Sequence, residues 1–204
     1  MKRSILALGG VLFAAISANA IIITPTAPVL SNGCYEISNE AELFGFAAIV
    51  NGTDGFSKNK TACGKLVKNI VVNSEVLDHY DEEEYSAEFA VWNPLDTFAG
   101  TFDGNGHTIS GLFQNVTQET DPQDLGFIRV LVANPETPTV IKNLGIVDSY
   151  FELKSRTGVR AAVFAVDVID SDSEDGKISY AKILNCYNQS KIYFNSTGND
   201  FQRL

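Results

Sequence analysis

A short apolar pattern recurs four times along the chain and limits the folds that it can adopt. Each copy has an aliphatic residue, a spacer, Asn or Gly, and a second apolar residue, and the copies begin at Val67, Ile109, Ile141 and Ile183. Repeats at such intervals are typical of stacked units, each of which buries its apolar side chains only against its neighbours. The pattern therefore predicts an all-β protein built as a β-solenoid.

The stretch from residue 98 to 113 predicts a strand, a tight turn and a second strand. Its turn residues are Asp103, Gly104, Asn105 and Gly106, which tolerate positive φ. The same stretch also offers side chains for a calcium site or for acid–base chemistry. An EF-hand loop beginning at this aspartate is excluded, because its sixth position is not glycine and its twelfth is not glutamate. We interpret the stretch as a structural turn, with His107 packed at the start of the second strand.

Three of the four copies carry asparagine at the same place, namely Asn69, Asn143 and Asn185. Stacked asparagines form ladders of side-chain amides, and asparagine tolerates the left-handed backbone that a corner requires. We therefore expect a structural asparagine ladder rather than a catalytic role for these residues.

The N-terminal third is organised differently from the repeats. Residues 1–20 have a basic start, an apolar stretch and an Ala-Asn-Ala site, which predicts a cleaved signal peptide, a retained anchor being the alternative. No later stretch is long and apolar enough to predict a membrane span in the mature chain. Residues 21–33 predict an extended lead-in, residues 34–64 a cap of one strand and one helix, and residues 65–204 the repeats, truncated at the C-terminus. The helix is expected from about Glu40 to Val50, where it would cover the first repeat.

Three cysteines and an acidic surface bound the chemistry. In an oxidising compartment Cys34 and Cys63, which flank the helix, are expected to pair, and Cys186 to be a buried small hydrophobe. Fifteen basic against 25 acidic residues give a net charge of −10, which argues against nucleic acid as a partner. The densest group of carboxylates is either a solvated loop or a calcium site, and it comprises Asp170, Asp172, Glu174 and Asp175. We otherwise assign no metal, cofactor or catalytic residue.

Several segments resemble GLUG-type repeats of bacterial secreted and cell-surface proteins. They are residues 98–113, Leu-Gly-Phe-Ile at 125–128, Ile-Lys-Asn-Leu-Gly-Ile-Val-Asp at 141–148 and Asn-Cys-Tyr-Asn at 185–188. The resemblance implies a right-handed parallel β-helix that serves as a stalk or adhesive module. The chain departs from the family at residues 160–165, which carry alanines in place of glycines, and its last copy is cut short after Gly198.

These observations predict a non-catalytic secreted or cell-surface module for adhesion, with an extracellular glycan or protein as its ligand. Downstream repeats or a partner are expected to cover the C-terminal edge of the last repeat. The alternative is a polysaccharide-degrading lyase or glycoside hydrolase on a β-helix. Against that alternative, the four arginines after residue 128 are scattered, and no paired carboxylates recur on a predicted strand face.

Overall fold

The computed structural model describes residues 21–116, 124–153, 160–171 and 178–194, so the predicted signal peptide lies outside the described residues. The described chain is mostly β-structure. Its helices are α1 (Glu40–Asn51), α2 (Val76–His79) and α3 (Glu83–Ser86). Its strands are β1 (Val29–Ser31), β2 (Cys34–Ile37), β3 (Cys63–Leu66), β4 (Ile70–Val71), β5 (Leu95–Phe98), β6 (Thr101–Asp103), β7 (Thr108–Ser110), β8 (Phe113–Val116), β9 (Ile128–Ala133), β10 (Thr139–Lys142), β11 (Gly145–Leu153), β12 (Ala165–Asp170), β13 (Ala181–Leu184) and β14 (Tyr187–Phe194).

The strands form three sheets, which we call A, B and C. Sheet A has the order β1-β2-β3-β6-β10-β13, sheet B the order β14-β11-β7-β4 with β8 beside β11, and sheet C the order β12-β9-β5. Every pair is parallel except β1 with β2, which is antiparallel. From β3 onward the chain visits sheets A, B and C in that order and then begins again. We call each such traversal a pass.

The four predicted sequence copies do not share one register, and only the copies that begin at Ile141 and Ile183 are aligned with each other. Ile141 pairs with Ile183 in sheet A, whereas Ile109 pairs with Ile70 and Ile146 in sheet B. The place beside Ile141 belongs to Phe102. The cause is a longer corner in the second pass, where five residues separate Phe102 from Thr108 while three separate their partners in the next pass. A two-residue insertion therefore shifts the apparent repeat from one sheet to the next.

Aromatic side chains fill the interior between the three sheets. Phe46, Phe98, Phe102, Phe127 and Trp92 are all at most 1% exposed. Phe102 meets Phe127 edge to face with their ring centroids 5.0 Å apart, and Trp92 stacks on Phe127 at 5.6 Å. Because each such ring buries roughly 150–250 Å², these residues supply much of the apolar burial that holds the passes together.

Helix α1 covers one end of this interior. Asn39 begins it by accepting a hydrogen bond from the Glu42 N–H at 2.9 Å, and Gly52 ends it with φ 74°. Its ring at Phe46 packs edge to face on Phe102, with 5.6 Å between centroids. Cys34 and Cys63 form the predicted disulfide, which joins β2 to β3 beside the helix. The helical cap is thus tied covalently to the first pass.

The acidic segment between β4 and β5 packs on the outer side of sheet B. It contains α2 and α3, and Val76 and Phe89 pack with Phe113 and Tyr150 in a second apolar cluster on the outer side of sheet B. The carboxylate of Asp148 accepts hydrogen bonds from the N–H groups of Val76 and Leu77, at 3.2 and 2.8 Å. Helices this short have little stability alone, so α2 and α3 form because of their contacts with the sheet.

Candidate functional site

The predicted turn is a corner between two sheets. Strand β6 belongs to sheet A and β7 to sheet B, and they do not pair with each other. Asn105 and Gly106 have φ of 52° and 81°, and a Cβ on Gly104 would lie 2.4 Å from the Asn143 carbonyl oxygen. The residues of the turn are therefore those that allow positive φ and a close approach to the backbone of the neighbouring pass.

Asp103 joins this corner to the next pass. Its Oδ1 accepts hydrogen bonds from the Asn105 N–H at 2.8 Å and from Asn143 Nδ2 at 3.1 Å, and its Oδ2 lies 3.3 Å from Lys142 Nζ. Partial burial acts to raise the pKa of Asp103, but these hydrogen bonds and the Lys142 charge outweigh it and lower the pKa. The carboxylate is therefore ionised, and its oxygens are engaged in contacts that stabilise the corner.

The asparagine row continues this contact but excludes one predicted member. Asn185 Nδ2 donates to Asn143 Oδ1 at 3.3 Å, so the row runs Asp103, Asn143, Asn185. Asn69 lies at another corner position, where its Oδ1 accepts from the Thr108 N–H at 3.2 Å and lies 3.2 Å from His107 Nδ1. Asn69 lies four residues after Lys65, whereas Asn143 directly follows Lys142, the equivalent of Lys65, so Asn69 stands at a later place in the corner.

Of the predicted carboxylate loop, Asp170 lies within the described residues. Asp170 Oδ1 accepts a hydrogen bond from Ser179 Oγ at 2.6 Å, while Asp172, Glu174 and Asp175 lie outside the described residues. Within the described ranges, no group of three or more His, Cys, Asp or Glu side chains is placed to hold a metal ion.

A groove of about 340 Å³ lies where sheet C begins, beside the C-terminal end of α1. Asn51 shapes it, because its Nδ2 donates to the Pro94 carbonyl at 2.9 Å and its Oδ1 accepts from the Asp96 N–H at 2.8 Å. We call it the sheet C groove. Its lining consists of Asn51, Thr53, Asn93, Pro94, Asp96, Asp124 and Arg129.

Alternating carboxylates and guanidinium groups lie in and beside this groove. Arg129 pairs with Asp96, and Arg160 makes a bidentate contact with Asp124, with nitrogen–oxygen distances of 3.0 and 2.8 Å. The second face of the Arg160 guanidinium reaches Asp167 Oδ2 at 2.6 Å. Five charged side chains from successive strands and connections thus form two ion-pair groups, and Asp96, Arg129 and Asp124 from these groups line the same groove.

The contact between Arg160 and Asp167 favours the charged form of both side chains. Hydrogen bonds to Asp124 and then Asp167 raise the pKa of Arg160. The hydrogen bond from Arg160, with that from the Val168 N–H, lowers the pKa of Asp167. Asp167 and Arg160 therefore stay charged at neutral pH, and the two ion-pair groups together hold three carboxylates and two guanidinium groups.

A second cavity of about 570 Å³ lies at the corner between sheets C and A, next to the disulfide. Much of its lining is backbone, Pro135, Pro138 and small side chains, including Thr101, Thr137 and Ser171. It carries fewer charged groups than the sheet C groove, so it offers less for the specific recognition of a polar ligand.

Sequence reasoning missed the sheet C groove because its partners are far apart in the chain. Arg129 and Asp96 are separated by 33 residues, and Arg160 and Asp124 by 36. Each separation is close to the length of one pass. The sequence feature that could have indicated the groove is therefore an arginine that follows an aspartate by one repeat length. The incorrect repeat register concealed it.

The fold and groove define a strand-rich domain of parallel sheets with a polar, ion-paired surface groove. Comparison with protein-family models, with curated proteins and with solved structures finds no match to this chain. None of the helices in the described ranges has the length and apolar character needed to cross a bilayer.

Proposed function

We propose that this protein is an exported, non-catalytic β-solenoid module, a right-handed parallel β-helix that binds an extracellular glycan in the sheet C groove. The solenoid interpretation is supported by the repeated order of sheets A, B and C and by parallel pairing of equivalent strands, such as Ile109 with Ile70 and Ile146. The N-terminal signal pattern supports export, to a secreted or cell-surface location.

The observation that carries the binding function is the composition of the groove. Sugar hydroxyls both donate and accept hydrogen bonds, and planar amide, carboxylate and guanidinium groups match them in pairs. The groove has one amide, one carboxylate and one guanidinium group at a single opening, from Asn51, Asp96 and Arg129. Contacts among these three residues hold them in place. Fixed side chains lose little entropy when a ligand binds, which favours recognition of a polar chain.

A polysaccharide-cleaving enzyme is the second candidate, since Asp96, Asp124 and Asp167 lie on one surface with two arginines. A glycosidase needs one carboxyl group with a raised pKa to protonate the leaving oxygen. Arg160 instead lowers the pKa of Asp167 and makes a bidentate contact with Asp124, and Arg129 pairs with Asp96. These contacts favour binding over cleavage.

Binding to an array of plant and bacterial polysaccharides, followed by calorimetry with the glycan bound best, tests the proposal. Arg129→Met and Asp96→Asn are each expected to weaken binding about tenfold or more, because each removes a charge-assisted hydrogen bond. Lys142→Met is the matched control, since it breaks an ion pair of similar exposure on sheet A. If all three variants bind the glycan as tightly as the wild type, the sheet C groove is not the binding site. New reducing ends or unsaturated products would instead establish a polysaccharide-cleaving enzyme.

A further inference from the structure

In the interior, apolar side chains of equivalent strands stack in columns from pass to pass. At the last described strand of each sheet these columns end without a further layer of side chains. We call β12, β13 and β14 the terminal rung. In the described ranges they pair on one side only, with β9, β10 and β11 respectively. No described strand pairs with their outer edges, and the free edge of a sheet readily pairs with another chain.

Side chains that are buried in the preceding pass become exposed in the terminal rung. Leu131, Ile141 and Leu153 are at most 2% exposed, whereas their register partners Val168, Ile183 and Phe194 are 55%, 45% and 51% exposed. The residues of β12 are partly or fully exposed for this reason. One more layer of apolar side chains would restore burial in all three columns.

The exposed area is large enough for a stable interface. Six further apolar side chains on or beside the rung are also well exposed, and they are Ile169, Ile178, Tyr180, Leu184, Tyr187 and Tyr193. Nine such half-exposed side chains offer on the order of several hundred Å² of apolar surface, comparable to the ~800 Å² that each partner of a standard interface buries. Patches of this size on soluble proteins mark interaction sites.

The charge of the rung favours a second copy of the same chain. The protein carries a net charge of −10, so most pairs of its surfaces repel each other. Within the three strands of the rung, however, Asp167 and Asp170 are balanced by Lys182 and Lys191. The three strands themselves therefore carry no net formal charge toward a second copy.

We propose that two copies associate end to end through their terminal rungs, around a twofold axis perpendicular to the direction in which the passes stack. A strand that crosses such an axis meets its own copy antiparallel, a pairing that satisfies both backbone edges. The opposite end of the stack is covered by α1, which buries Leu43 and Phe46 against the interior. The contact is therefore tail to tail, and it closes as a dimer.

Sedimentation velocity of the full chain from about 1 to 100 µM tests this contact. The wild-type protein is expected to reach twice the monomer mass, and Ile183→Lys and Val168→Lys, on different sheets, are each expected to raise the dissociation constant at least about tenfold. Val71→Lys is the control, since Val71 is 52% exposed at the other edge of sheet B. Melting curves identify any variant that fails to fold. If one of the two rung variants does not fold, the dissociation constant of the other tests the contact.

Cys186, the one free cysteine, reports on the same surface. It is half-buried immediately before β14. Its reaction with a thiol reagent is expected to slow as the protein concentration rises, because the dimer covers it. A monomer over the whole concentration range, or rung variants that associate like the wild type, would overturn the proposal. Slow labelling that is independent of concentration would also overturn it, because the chain itself would then cover the rung.

Discussion

At the scale of single residues, one corner shows how backbone need and side-chain chemistry coincide. Where the chain leaves sheet A for sheet B, Asn105, Asn143 and Asn185 take up left-handed conformations in three successive passes, with φ of 52°, 53° and 52°. Asparagine accepts this conformation at lower cost than most residues, and its amide remains free to bond to the neighbouring pass. Asp103 begins that row of contacts.

Replacing the side chain of Asp103 is expected to destabilise the protein. Asp103→Ala removes the acceptor of the Asn105 N–H and of Asn143 Nδ2, so the free energy of unfolding should fall by about 1–2 kcal/mol. Denaturant unfolding measures the change, and Asp81→Ala, at an exposed carboxylate in the outer segment, serves as the control. An unchanged midpoint for Asp103→Ala would show that the corner does not depend on these bonds.

The contribution of Asp103 is also expected to depend on pH. Its pKa is lower in the folded protein than in the unfolded chain, so its stabilisation is complete above about pH 4 and is lost as pH falls through the folded value. The stability difference between wild type and Asp103→Ala should therefore narrow on acidification below pH ~4. A difference that stays constant from neutral pH to about pH 2 would contradict the assigned shift.

At the scale of elements, the segment carrying α2 and α3 is held by the sheet that it covers. Val76 is fully buried, and Tyr80 stacks on Tyr150 with their centroids 4.4 Å apart. Lys191 Nζ lies 3.8 Å from the centroid of the Tyr80 ring, so a strand of the terminal rung also contacts the segment. Aromatic and cation–π contacts together fasten the segment to three successive strands of sheet B.

Truncation of Val76 is expected to loosen this segment without unfolding the sheets. Val76→Ala leaves a cavity beneath α2 and should cost about 2 kcal/mol. It should also speed cleavage at Glu82 and Glu83 by a glutamate-specific protease, because cleavage requires local opening. Val91→Ala, at a position that is 54% exposed, should change neither quantity. If both variants are cleaved at the wild-type rate, the contacts of Val76 do not hold the segment.

Element by element, the sequence predicted what depends on neighbouring residues. The first helix, expected from about Glu40 to Val50, follows from local chemistry, and the structure has it at Glu40–Asn51. The short helices were missed because they depend on Phe113 and Tyr150, which lie far along the chain. The register was misplaced because the two-residue insertion in one corner is visible only when strands are paired.

At the scale of the whole molecule, a covalent link and a helical cap close one end of the stack, while the terminal rung is open. The Cys34–Cys63 disulfide spans 29 residues and encloses α1. Strand-rich class and disulfide pairing were predictable, since they rest on the repeated apolar pattern and on two cysteines flanking a helix. The sheet C groove was not, because Asp96 and Arg129 meet only when successive passes are aligned.

Reduction of the disulfide is expected to destabilise the whole molecule. Opening a loop of this length should lower the free energy of unfolding by about 3–4 kcal/mol, because the unfolded chain regains entropy. Denaturant unfolding with and without a reductant measures the change. A Cys34→Ser, Cys63→Ser double variant should be less stable and should no longer respond to the reductant. A wild-type protein equally stable in both conditions would show that the link does not support the cap.

The central claim is that equivalent strands of successive passes lie parallel and in the register described here. A crystal structure of the protein tests it most directly. In that structure Ile109 is expected between Ile70 and Ile146 on parallel neighbours about 4.8 Å apart, with Phe102 beside Ile141. Antiparallel pairing of these strands, or Ile109 beside Ile141, would contradict it.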